Sequence, residues 1–212
     1  MKKQILWDWN GTLLDDRDYC IAVRNRSFPP LGLRGVDSLE QYYREFTFPI
    51  RQYYQNAGVD DEHFVEAAHA WSREYDRLFA SVPLFADAER VLNLFRQAGL
   101  RQVLLSASKL DSLREQVDSF GIGWYFDEML GLSNIYAHSK EAIGRCYMDS
   151  CGISPRDTLM IGDSLHDAEV AKALGVDCLL VCRGHQSRKT LETAGFPVWE
   201  NLDQVGEIVL QG

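Results

Sequence analysis

The spacing of apolar positions divides the chain into three stretches. Ile5-Leu6-Trp7 is an unbroken apolar run that gives way to Asp8-Trp9-Asn10-Gly11-Thr12. This is the pattern of a buried strand whose carboxyl end opens into a glycine-containing loop. Residues 15–82 follow a different rule. They are rich in Arg and Tyr, hold Pro29-Pro30 and Pro49, and end in a helical pattern from Asp60 to Ala80. Phe64, Ala68, Trp71, Tyr75 and Phe79 recur there on one helix face, which reads as packing core rather than as a cofactor box. From Pro83 onward short apolar strands alternate with amphipathic helices. Val91 to Phe95 mark a helix closed by Gly99, Val103-Leu104-Leu105 a strand, and Leu113, Val117 and Phe120 the next helix. A strand near Met129-Leu130 and a helix from Lys140 to Cys151 follow. Thr158 to Ile161 reads as a strand, Ala168 to Leu174 as a helix and Cys178 to Cys182 as another strand. Such alternation predicts an α/β fold with a parallel sheet covered on both faces. Residues 1–14 and 83–212 form its core domain, and 15–82 form an inserted α-helical cap domain.

Composition narrows the class. The 212 residues suit one core domain carrying an insertion, and 46% apolar with 25% charged residues excludes wholesale disorder. Lys and Arg number 22 against 31 Asp and Glu, a net charge of −9, with no basic run. That balance argues against nucleic acid and anionic membrane as partners. The five cysteines include no C-x-x-C pair, which reads as reduced thiols in a reducing compartment. The N-terminal apolar run is shorter than the roughly 7–15 residues of a secretory signal or the ~20 of a membrane span, so a cytoplasmic location is expected.

In an open parallel sheet, ligands bind outside the carboxyl ends of the strands. Four segments place polar groups there: Asp8 with Asn10 and Thr12, Ser106 with Ser108 and Lys109, Lys140, and Gly162-Asp163-Ser164-Leu165-His166-Asp167. This is the side-chain set that phosphoryl transfer through a covalent carboxylate requires. One carboxylate attacks phosphorus, others hold Mg²⁺ through hard oxygen ligands, and hydroxyl, amide and ammonium donors neutralise the phosphoryl oxygens. Singly, each residue has a plain structural reading. Asp163 and Asp167 could merely open a helix, Ser106 could be a cap and Lys140 a solvated side chain.

Together, Asp8-x-Asn10-Gly11-Thr12, Ser106 after an apolar strand, Lys140 and Gly162-Asp163-x-x-x-Asp167 resemble the four motifs of haloacid dehalogenase-like phosphatases, in order across nearly the whole chain. The insertion after the first motif is similar to the helical cap of the phosphoglycolate phosphatase and β-phosphoglucomutase branch, and Ser106-Ala107-Ser108-Lys109 resembles that branch's second motif. The resemblance implies a Rossmann-like core and a Mg²⁺-dependent phosphatase acting on a small phosphorylated substrate, as monomer or homodimer. Asp8 would be the nucleophile. Asp8, Asp163, Asp167 and the main-chain carbonyl of Asn10 would hold the metal. Thr12, Ser106, Ala107, Lys109 and Lys140 would bind the phosphoryl group, with Lys140 also offsetting the clustered carboxylates. In that branch the cap supplies substrate contacts. Arg51, in the aromatic–basic stretch Phe46 to Tyr54, is either a substrate-carboxylate partner or a surface Arg.

Position 10 departs from the family pattern, which is Asp-x-Asp. The family's second Asp protonates the leaving oxygen and then activates water, and an amide does neither. Three explanations stand: a substrate with a good leaving group or a base recruited from Asp15, His138, His166 or His185; binding retained with catalysis lost; or a change made to trap an intermediate. The first is favoured because every other catalytic position is filled. A phosphomutase remains an alternative reaction. A Schiff-base route is disfavoured, because residues 15–82 contain eight Arg and no Lys.

Overall fold

The computed structural model describes residues 2–132 and 139–211. Six strands are present: β1 (Gln4–Trp7), β2 (Arg101–Lys109), β3 (Glu128–Leu132), β4 (Thr158–Gly162), β5 (Asp177–Val181) and β6 (Val198–Trp199). The helices are α1 (Arg17–Ser27), α2 (Leu39–Glu45), α3 (Ile50–Asn56), α4 (Phe64–Leu78), α5 (Ala88–Gln97), α6 (Leu110–Ser119), α7 (Lys140–Ser150), α8 (Leu165–Leu174), α9 (Arg188–Leu191) and α10 (Leu202–Gln211). The chain divides into two compact units, Met1–Leu14 with Leu84–Gly212, and Asp15–Pro83.

In the first unit all strand pairs are parallel, in the order β3-β2-β1-β4-β5-β6. β1 is central and wholly buried, which explains its apolar sequence without polar alternation. Trp7 pairs with Leu104 of β2 and Ile161 of β4, and the next amide, Asp8, donates to the Ile161 carbonyl at 2.9 Å. The chain builds outward from β1 to β2 and β3, then returns to the other side of β1 as β4. That reversal leaves a crevice at the carboxyl ends of β1 and β4, and Asp8 and Asp163 are the first residues past those two ends.

β2 is longer than its apolar stretch predicts. It continues through Ser106-Ala107-Ser108-Lys109, and its pairing with β3 shifts between Leu105 and Lys109 before Lys109 meets Leu132. The irregular register lets the strand carry polar residues towards the crevice. Two C-terminal elements, β6 and α10, also lie beyond the predicted strands and helices. Buried Leu202, Val205 and Val209 line one face of α10, and Gly206 brings it against Val91 and Leu94 of α5.

The second unit is helical. Phe64, Ala68 and Trp71 pack against a cluster of buried Phe28, Tyr42, Tyr53 and Tyr54, while Trp71 stacks on Tyr75 with ring centroids 4.8 Å apart. The aromatic stripe is therefore core. α4 begins at Phe64 rather than Asp60, because the Asp60 carboxylate accepts the His63 amide at 2.9 Å and folds the intervening residues into a turn. Arg24 of α1 is fully buried. Its guanidinium donates to Glu45 at 2.7 Å and to the carbonyls of Arg34 and Gly35, and Glu45 also accepts from Gln41 and Arg34. Among the described residues no helix is long and apolar enough to cross a membrane.

Candidate active site

Asp8, Asp163 and Asp167 converge at the carboxyl ends of β1 and β4. All three are buried, and one carboxylate oxygen of each lies within 4.8 Å of the others. Lys140 Nζ donates to Asp8 Oδ1 and Asp167 Oδ1, each at 2.5 Å. Lys140 is the first residue of α7, whose N-terminus is capped by Ser139. A cation there opposes the helix dipole, so the two carboxylates, and not the helix, hold it in place. Thr12 is buried and its hydroxyl donates to Asp8 Oδ2 at 3.2 Å.

Asp167 does two jobs. Its Oδ1 takes Lys140, while its Oδ2 accepts the amides of Asp163 and Ser164 and the Ser164 hydroxyl, completing a capping box at the start of α8. The helix-opening reading of this residue is thus realised alongside its place in the cluster. Asp163 Oδ2 accepts the His185 amide at 2.5 Å from the loop after β5. Gly11, at φ +73°, and Gly184 press their backbones onto this carboxylate, and a Cβ at either would run into it.

Charge in the cluster is unbalanced. Burial pushes the Asp8 carboxyl up to about 6, reinforced by the Asp167 charge and opposed by Lys140. Burial likewise pushes Asp163 up to about 8, against the pull of His185. Burial also penalises ionised Asp167, but the Lys140 charge and hydrogen bond win and its pKa falls. The Lys140 ammonium is held above its ordinary range by the same carboxylates despite burial. Three buried carboxyls facing one ammonium lack a positive charge. Their hard oxygen donors suit a divalent cation such as Mg²⁺.

Ser106 and Ser108 reach the crevice from β2. The Ser106 hydroxyl accepts the Ser108 amide at 3.0 Å, and the Ser108 hydroxyl donates to Asn10 Oδ1 at 2.9 Å. Ala107 lies between them, and Lys109 at the end of β2 pairs with Asp111 at 3.4 Å. Arg51 belongs to the second unit, where its guanidinium lies over the Phe64 ring at 4.7 Å and pairs with Asp61 at 3.5 Å. Of the alternative bases, His166 has its pKa lowered by burial and by Lys140, and lies 3.7 Å from Glu169. Asp15 belongs to the second unit, and His138 lies outside the described residues.

From the loop after β5, sequence reasoning named His185 only as a possible base and missed Arg183 and Gly184. Arg183 pairs with both oxygens of Asp87 at 2.7 and 2.8 Å and donates to the Thr12 carbonyl at 2.8 Å, tying that loop to the one after β1. Beyond His185 itself, the loop's signal was position at a strand's carboxyl end, because Gly184 acts through its backbone and His185 reaches Asp163 by its amide as well as by its side-chain charge.

The haloacid dehalogenase-like hydrolase family matches residues 5–181. Phosphoglycolate phosphatase 1 of Pseudomonas aeruginosa is 23% identical over 99% of this chain and 83% of its own length. A phosphoglycolate phosphatase of Synechococcus elongatus is 22% identical over 92% and 90%. Among solved structures, a haloacid dehalogenase-like family hydrolase from Streptococcus pneumoniae superposes with a TM-score of 0.82 at 17% identity, covering 98% of both chains. CbbY from Rhodobacter sphaeroides, in complex with phosphate, gives 0.77 at 19% identity and 97% of both. With a parallel sheet built around Asp8 and a family match over most of its length, the chain belongs to the haloacid dehalogenase-like hydrolases.

Proposed function

We propose that the chain is a Mg²⁺-dependent phosphatase that hydrolyses a small phosphorylated metabolite through an aspartyl-phosphate on Asp8. The observation that carries this reading is the buried trio Asp8, Asp163 and Asp167 with Lys140 bridging two of its members at 2.5 Å. Asp8, Asp163, Asp167 and the main-chain carbonyl of Asn10 would hold Mg²⁺, which when bound neutralises charge on the phosphoryl oxygens. Lys140 keeps Asp8 ionised and aimed, since its ammonium and the Thr12 hydroxyl each engage one oxygen of the attacking carboxylate. Ser106 and the main-chain amides beyond it supply hydrogen-bond donors to the phosphoryl group, together with Lys109. The names of the phosphoglycolate phosphatases among its relatives favour a small phosphorylated acid as one substrate to try.

Phosphate release from a panel of phosphorylated metabolites with Mg²⁺ tests this reading. Release that disappears in Asp8→Ala is expected. Mg²⁺ and phosphate binding without release from any compound would favour a non-catalytic phospho-ligand-binding protein, the reading that Asn10 supports.

A further inference from the structure

Arg183 is the second residue past β5, and its guanidinium is turned inward, with the side chain 12% exposed. One terminal nitrogen donates to both oxygens of Asp87, at 2.7 and 2.8 Å, and the other donates to the Thr12 carbonyl at 2.8 Å. The flat face of the group lies 3.8 Å from the centre of the Phe85 ring. Asp87 is itself fixed, because its Oδ2 also accepts the Leu202 amide at 2.9 Å at the start of α10. Serving a carboxylate and a carbonyl at once while lying on a ring takes the planar fork of a guanidinium, where an ammonium offers one point of charge.

The two segments that this fork joins each end on a carboxylate of the cluster. Thr12 is held through both of its peptide groups, its carbonyl by Arg183 and its amide by the Trp9 carbonyl at 3.3 Å, and its hydroxyl donates to Asp8 Oδ2. The two residues after Arg183 meet Asp163. Gly184 lies against its carboxylate and against the Gly11 carbonyl, and the His185 amide donates to Oδ2. Beyond Thr12 the chain runs to Leu14, which pairs with Leu84 at the boundary of the core unit. Phe85, the next residue, donates its amide to the Leu13 carbonyl at 3.0 Å. Arg183 therefore grips the chain just before it leaves the core unit and just after it returns.

We infer that Arg183 is a positioning residue: anchored on Asp87 and Phe85, it fixes the Thr12 hydroxyl on one oxygen of Asp8 and the His185 amide on one oxygen of Asp163. The inference rests on the reading of Asp8 as nucleophile and of Asp163 as a metal carboxylate. The Arg183 charge is matched by Asp87, so its effect on the cluster runs through Thr12 and the two residues that follow it. Loss of the fork frees both carboxylates to rotate out of these hydrogen bonds.

The test uses the full chain with Mg²⁺ and the panel compound that wild type hydrolyses fastest, beside calorimetric titration with Mg²⁺ alone. Arg183→Lys keeps an ion pair with Asp87 but cannot fill both positions. It should melt close to wild type, yet kcat should fall about 10-fold or more while KM stays within about three-fold. Arg183→Met combined with Asp87→Asn removes both charges together and leaves an amide oxygen for Leu202, so no buried ion is stranded. This double variant should lose kcat by a similar factor and bind Mg²⁺ about 10-fold more weakly. A packing role alone predicts another pattern, in which activity falls only in step with the folded fraction and kcat returns fully at a temperature where the variant is folded. That pattern, or kcat and Mg²⁺ affinity within about two-fold of wild type in the folded double variant, would overturn the inference while leaving the phosphatase reading intact. Wild type that releases phosphate from no compound would overturn that reading, and the inference with it.

Discussion

Each unit buries a cluster of charge, and the two clusters are finished differently. In the helical unit, the Glu45 carboxylate takes Arg24 on one oxygen and Arg34 and Gln41 on the other, and the remaining Arg24 donors meet main-chain carbonyls or the Tyr53 hydroxyl. In the core, three buried carboxyls share one ammonium, and Asp8 and Asp163 are pushed to about 6 and about 8. A satisfied network holds a fold together. An unsatisfied one costs stability and is kept where a cation or a substrate completes it. Chemistry is expected at the second cluster and only stability at the first.

Substitutions can break that contrast. The largest expected effect is on turnover: Asp8→Ala should reduce phosphate release to background while the protein still melts cooperatively, as a phosphate-release assay beside a thermal scan would show. The matched cluster should behave oppositely. Arg24→Ala strips Glu45 Oε2 of its buried partner, leaving Arg34 and Gln41 on the other oxygen, and should cost up to about 3–5 kcal/mol, read as a fall in denaturant midpoint. Asp163→Asn removes the most strongly penalised carboxyl. Without Mg²⁺ it should raise Tm, on the scale of about 2–4 °C per kcal/mol relieved, and it should erase most of the Mg²⁺-induced rise.

The pH dependence follows from the same shifts. Asp8 and Asp163 titrate higher in the folded chain than the ~3.9 of an unfolded aspartate, so keeping them ionised costs nothing below that value. The cost grows as pH rises and is complete only above about 6 for Asp8 and about 8 for Asp163. The Mg²⁺-free protein should therefore lose stability from these two groups between pH 5 and pH 8, and the Tm gain on adding Mg²⁺ should be larger at pH 8 than at pH 5.5. A gain independent of pH would show that the ion binds elsewhere. The smallest effect is expected at Ser38, whose side chain accepts the Gln41 amide at the start of α2. Ser38→Ala should cost about 1 kcal/mol and leave phosphate release unchanged.

How far the molecule was legible depended on how local each signal was. The apolar run before Asp8 and the strand–helix alternation after Pro83 are local, and they predict the parallel sheet and the strand ends where Asp8 and Asp163 lie. Lys140 is less local. Its role depends on carboxylates 132 and 27 residues away, and the motif order, not periodicity, pointed to it. The polar tail of β2 was hidden because Ser-Ala-Ser-Lys has no apolar pattern, although its backbone continues the sheet. The Arg24–Glu45 pair spans 21 residues between two helices, and nothing in either helix alone marks them as partners. The His185 amide bond to Asp163 is one any residue type could make at that position, and only the side-chain charge beside it is particular to histidine.

The most direct test of the account is to find the atom that carries the phosphoryl group. The chain is mixed with Mg²⁺ and acetyl phosphate, quenched, and reduced with borohydride, which converts a phosphorylated aspartate to homoserine. Peptide mass analysis should then find homoserine at position 8 and at no other aspartate, with the conversion absent when acetyl phosphate is omitted. Phosphate release without any conversion at position 8, or conversion at Asp163 or Asp167 instead, would contradict it.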